Sequence, residues 1–208
     1  MNKYLILCAA FWLSACSSPM QPQSQAPNTF SRQNALPAGV STAKAGFPIA
    51  MAERNKLDPQ AQLYEVDVWQ EASGKSLQYG FLRSDQSGNT LRVNIDVASQ
   101  QVSVETGFKG TAAPVNVAYW KLDSAQIYAL AQSNGLRDSL YLATLWEDTW
   151  HISGLKQDLY FQMDAQSGKI KLRCTGPYNN NCVLEDGTPV QRASDTGMQR
   201  HIAKRSSR

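Results

Sequence analysis

Between residues 63 and 71 the chain reads Leu-Tyr-Glu-Val-Asp-Val-Trp-Gln-Glu, apolar and polar side chains taking turns with the two-residue period of a half-buried strand. The same alternation predicts strands over 77–83, 90–97 and 101–105, then over 140–146, 150–155, 158–165 and 169–173. Turn formers separate them: Ser73-Gly74, Ser87-Gly88-Asn89, Ser153-Gly154 and Ser167-Gly168. Two stretches keep a different rhythm. Residues 43–56 are densely apolar, with Pro48 expected near a helix's first turn, where a missing amide proton does least harm. Residues 123–134 open on Asp123 or Ser124 as an N-cap, put Ile127, Leu130 and Ala131 on one face, and stop at Asn134-Gly135. The predicted order is a helix and four strands, twice over.

Letter by letter the two passes also resemble each other. Residues 63–71 align with Leu-Tyr-Leu-Ala-Thr-Leu-Trp-Glu-Asp at 140–148, sharing Leu, Tyr and Trp before a polar-acidic pair. Residues 91–104 align with 159–172 through Leu, Asp, a serine three later, and an aliphatic pair two apart. Two blocks in the same order argue for a duplication. The expected fold class is α+β, two tandem helix-plus-antiparallel-sheet units over 41–108 and 109–190, each helix covering one sheet face. The second unit closes on Met163-Asp164-Ala165-Gln166-Ser167-Gly168-Lys169-Ile170, which resembles the closing hairpin of PepSY-like, or cystatin-like, units of secreted bacterial proteins. Its counterpart, Asp96 to Val102, lacks the glycine. The resemblance implies a non-enzymatic module, since such units are associated with protease inhibition or regulation.

The ends carry other messages. Lys3, the apolar run from Tyr4 to Leu13 and the small residues Ser14 and Ala15 have the order of a secretory signal peptide. The run is well short of the ~20 residues that cross a bilayer. Leu13-Ser14-Ala15-Cys16 resembles a bacterial lipobox, which implies a signal peptide over 1–15 and acyl chains on Cys16. Ser17, where an aspartate would favour the inner membrane, implies the periplasmic face of the outer membrane. Residues 16–40, rich in Ser, Pro, Gln and Asn, read as the lipid anchor and a flexible tether. Residues 191–208 read as a basic flexible tail.

Composition narrows the function classes. A formal charge of +3, or +2 once Lys3 leaves, is too slight to point to nucleic acid. Hydrophobic content of 42% calls for a packed core. Cys8 departs with the signal peptide, leaving Cys174 and Cys182 around a Gly-, Pro- and Asn-rich loop, where a disulfide is expected. With His151 and His201 as the only histidines, no metal site, cofactor or catalytic residue is assigned. His151 is expected on the polar face of its strand, opposite Trp150 and Ile152.

Aromatic residues leave two options open, core filling or binding anchors. Alternation over 63–71 puts Tyr64, Val66 and Val68 on the more apolar face, leaving Trp69 on the other with Glu65 and Asp67. Trp69 is therefore the candidate partner contact. The expected function is a periplasmic binding or inhibitor module, not an enzyme, hung from the outer membrane by lipid and recognising an envelope protein or peptide. The alternative is a structural or accessory lipoprotein of an envelope assembly or secretion system.

Overall fold

The alternating segments all become strands, and their bounds fall within a few residues of those expected. A computed structural model describes residues 28–32, 36–37, 39–85, 87–110, 113–176 and 179–191. In chain order the elements are β1 (Asn28–Arg32), α1 (Ala43–Leu57), β2 (Gln62–Glu71), β3 (Gly74–Leu82), β4 (Asn89–Asp96) and β5 (Gln101–Lys109). There follow α2 (Ser124–Ser133), β6 (Tyr141–Trp146), β7 (Thr149–Gly154), β8 (Leu159–Asp164), β9 (Ile170–Thr175), β10 (Asn181–Leu184) and β11 (Pro189–Gln191).

These strands make one antiparallel sheet of eleven, ordered β1-β5-β4-β3-β2-β6-β7-β8-β9-β10-β11. The expectation of two tandem helix-plus-antiparallel-sheet units is overturned here: the sheet is single and dominates the fold. The first strands of the two meanders, β2 and β6, pair directly from Val66 opposite Leu145 to Gln70 opposite Tyr141. The reason is in the backbone: left apart, each would present a row of unpaired N–H and C=O groups, and pairing satisfies both edges at once. The main core then runs across both meanders. Val66, Val68, Leu77, Tyr79, Phe81, Val93 and Ile95 join Leu145, Trp150, Ile152, Phe161 and Met163 in a single buried cluster. Each such side chain contributes ~1.5–3 kcal/mol on leaving water.

Both helices lie on that face, and their N-termini meet. Thr42 caps α1, accepting from the Ala45 N–H. Asp123 caps α2 in a capping box with Gln126. The same Asp123 carboxylate accepts the Lys44 N–H at 2.9 Å, while Ser124 Oγ accepts the Ala43 N–H at 3.0 Å. One capping site thus serves the orphan amides of two helices. Tyr79 reaches up from β3 to donate to the Ala43 carbonyl at 2.6 Å, and burial pushes its phenol well above the ordinary value. The rings of Phe47 on α1, Trp120 ahead of α2 and Trp150 on β7 pack edge to face in a row. Pro48 is not in the first turn as expected. It lies in the second turn of α1, where it cannot donate to the Lys44 carbonyl.

Three strands have no counterpart in the alternation. Within the 16–40 stretch expected as a tether, Asn28–Arg32 pairs with β5, from Asn28 opposite Thr106 to Arg32 opposite Val102. At the other edge β10 and β11 extend the sheet beyond β9. The expected signal peptide over 1–15, the expected acylation site Cys16 and residues 192–208 of the expected tail lie outside the described residues. Within them, no helix is long and apolar enough to cross a membrane.

Candidate functional site

A sheet whose helices share one face leaves the other to be built from the alternate side chains. On β2 these are Glu65, Asp67 and Trp69, and the β-bulge between Leu63 and Glu65 decides what precedes them. The extra residue reverses the alternation at the start of the strand. Leu63 joins the main core, and Tyr64, expected there, turns to the helix-free face instead. Its ring lies over Gly80, where a Cβ would come within 2.7 Å of it. Burial first, then Glu65, raise the Tyr64 phenol above the ordinary value, with Arg92 pulling the other way.

From this edge a chain of polar contacts crosses five neighbouring strands. Asp67 accepts from the Gln78 amide on β3 at 3.2 Å and from the Thr144 hydroxyl on β6 at 2.6 Å. Glu65 accepts the indole N–H of Trp146 at 2.9 Å. The Trp146 ring packs against His151 on β7 with centroids 4.8 Å apart. His151 Nδ1 lies 2.7 Å from the Tyr160 hydroxyl on β8, which also accepts from the Gln162 amide. These residues are well shielded: Glu65 is 4% exposed, Asp67 7%, Thr144 2% and Tyr160 1%. Burying a carboxylate is costly unless it is hydrogen-bonded, and each of the two accepts from at least one of the partners named here.

Beside the network sits a second, smaller apolar cluster. Trp69 packs there with Leu142, Tyr160, Cys174 and Cys182. As expected, Trp69 shares its face with Glu65 and Asp67. The expectation that it stands open to a partner needs correction, because only 7% of it is exposed. Its indole covers the Cys174–Cys182 cluster, and apolar area against a disulfide is worth more to the fold than left in water. The disulfide itself is present, joining residues directly opposite each other on β9 and β10, with Cα atoms 4.0 Å apart. Next to Trp69 a shallow trough runs toward β5, lined by Ser76, Gln78, Asn94, Asp96 and Glu105.

His151 occupies the polar face, with Trp150 and Ile152 in the core, as alternation requires. Glu147 and Asp148 lie between two strands. They form the β6–β7 turn, Glu147 with φ +52°. Among the described residues no cluster of three or more His, Cys, Asp or Glu is placed to hold a metal ion. Sequence reasoning missed Thr144, Trp146, Tyr160 and Gln162 as members of one constellation. Each strand's alternation carries the signal, but only the β2–β6 pairing puts Asp67 opposite Thr144. No family model, curated protein or solved structure matches this chain.

Proposed function

We propose that this chain is a non-enzymatic binding module, held on the periplasmic face of the outer membrane by acyl chains on Cys16, whose helix-free sheet face receives a protein or peptide partner. The observation that carries the reading is the half-buried pair Trp146 and His151, packed together and held by the shielded Glu65 and Tyr160 on that one face. Tryptophan and tyrosine set against ordered polar partners are the residue types that anchor interfaces. The Leu13-Ser14-Ala15-Cys16 motif supports the anchor, since several acyl chains hold a protein on a membrane where one lets go. A partner that is itself an enzyme would make the module an inhibitor.

Two measurements test this. Labelled palmitate is expected on the wild-type chain and absent from the Cys16→Ala variant; label on neither, or on both, refutes the anchor. A photocrosslinking residue at Gln162, on the helix-free face, is expected to trap a specific envelope protein in cells. The same residue at Lys44, on the helix side, is expected to trap none. Equal capture from the two faces, or none from Gln162, refutes the surface.

A further inference from the structure

Matching positions in the two meanders are used differently on the helix-free face. Asp67 and Thr144 face each other where β2 meets β6, and the strands step outward from that pair in the same register on both sides. Beyond Asp67 come Gln78, Asn94 and Ser103, and beyond Thr144 come His151 and Gln162. In the next row Trp69 is followed by Ser76, Asp96 and Gln101, and Trp146 by Thr149 and Asp164.

In the second meander these side chains satisfy one another or their neighbours. His151 and Gln162 both meet the Tyr160 hydroxyl, Thr149 donates to Asp148, and Asp164 accepts from Tyr119 and Ser167. In the first meander Gln78 donates to Asp67, and Asp96 accepts the Ser99 N–H. The side chains of Ser76, Asn94, Gln101 and Ser103 make no hydrogen bond among the described residues, although Ser76, Asn94 and Ser103 are half-buried. All four line the trough beside Trp69, whose volume of about 320 Å³ is at the small end for small-molecule sites. Strands disfavour asparagine and aspartate, and exchanging such groups' hydrogen bonds with water returns little to the fold. A row that departs from local preference without a gain in stability marks a functional position.

We propose that this trough binds an uncharged saccharide. The hydroxyls of Ser76 and Ser103 and the amides of Asn94 and Gln101 each donate and accept. Sugar hydroxyl and acetamido groups do the same, so every group of the row finds a partner. Asp96 and Glu105 add acceptors for hydroxyl protons. Trp69 closes one end with apolar surface suited to the C–H face of a sugar ring. An ammonium or guanidinium group only donates, and would leave the amide and hydroxyl hydrogens of the row unmatched. Strands rather than loops carry these groups, so their spacing is fixed before a ligand arrives. The trough lies over β2 to β5 and the Trp146–His151 pair on β6 and β7, so this site and the partner surface proposed above stand or fall separately.

Titration of the full chain in detergent micelles with two uncharged probes, tri-N-acetylchitotriose and maltotriose, tests this by NMR. At least one is expected to shift the Trp69 indole and the Asn94 amide saturably. Trp120 and Trp150, whose indoles donate to the Leu122 carbonyl on the helix side, are expected to stay in place. The double change Asn94→Ala and Ser103→Ala is expected to weaken binding about tenfold or more, with thermal unfolding unaltered. Ser76→Ala, a milder change, is expected to weaken it several-fold and keeps the site testable if the double variant unfolds. Trilysine is expected not to compete. Competition by trilysine at the sugar's own concentration assigns the trough to cationic peptides and overturns the proposal. So does the absence of a saturable shift with both sugars at millimolar concentration, an equal response at Trp120 and Trp150, or full affinity in the folded variants.

Discussion

Two hairpins close the two meanders, and they follow the same path with different residues. Between β8 and β9, Asp164 Oδ1 accepts the N–H groups of Gln166 and Ser167 and the Ser167 hydroxyl, while its other oxygen accepts from Tyr119. Between β4 and β5, Asp96 Oδ1 accepts the Ser99 N–H at the same 2.8 Å. The residue after each aspartate donates across to a carbonyl near the start of the meander's second strand, Ala165 to Asp148 just before β7 and Val97 to Lys75 in β3. Four residues after each aspartate the backbone turns left-handed, at Gly168 with φ +75° and at Gln100 with φ +57°. Glycine enters that region freely and glutamine does not. What fixes the turn is therefore the aspartate and the strand register, while glycine relieves strain that the first hairpin carries.

The largest effect should come from Asp164→Ala. It removes a buried acceptor with four partners and a 3.4 Å ion pair to Lys171, costing about 3 kcal/mol, or a fall in Tm of roughly 6–12 °C. Asp96→Ala, on an exposed turn, should cost ~1 kcal/mol or less. Equal losses in thermal unfolding would erase the comparison. The pH dependence sharpens it. Burial pushes the Asp164 carboxyl up, but the Ser167 N–H and hydroxyl, the Tyr119 hydroxyl and the Gln166 N–H outweigh it and hold it well below the usual carboxylate range. A depressed carboxyl lends stability above its unfolded pKa and loses it as pH falls toward the folded one. Stability should drop below about pH 4, and the drop should flatten in Asp164→Asn.

Next in size is the staple that the second meander has and the first lacks. Opening Cys174–Cys182, which closes a loop across 8 residues, should cost about 2–3 kcal/mol in denaturant unfolding. It should also shift the Trp69 emission, because Trp69 packs in the same cluster. Gly168→Ala should cost about 1–2 kcal/mol, since a Cβ there meets Leu130 and Leu122 in a backbone conformation it disfavours. The smallest and most telling change is Gln100→Gly, expected to stabilise by about 0.5–1 kcal/mol. A loss instead would mean the first hairpin's path depends on its glutamine.

Much of this fold was legible residue by residue. Val66, Val68, Leu145, Trp150 and Ile152 alternate strictly, and an alternating strand has only one way to bury its apolar set. Asp123 with Gln126 announces the start of α2 and Asn134-Gly135 its end, because capping is local chemistry. Cys174 and Cys182 announced their bond through their spacing around a turn-rich loop. Tyr64 was misassigned because a bulge leaves no mark in a hydrophobic pattern. Strand β1 went unread in a stretch rich in Ser, Asn and Gln, since an edge strand needs only backbone partners. The candidate site suffered most. Glu65, Asp67 and Trp69 were visible as one face, but Thr144, Trp146, His151 and Tyr160 come from residues 77 or more positions away from Asp67.

Local order, then, belonged to the sequence: which residues make the eight strands of the two meanders, which make the helices, where their caps and turns fall, and which two thiols meet. Those follow from torsional preference and the period of apolar positions, quantities a dozen residues contain. Only the tertiary structure decided that the two meanders share one sheet, because the β2–β6 pairing is a contest between backbone hydrogen bonds to water and to a distant strand. That single pairing also brought the carboxylates of one half beneath the tryptophan and threonine of the other.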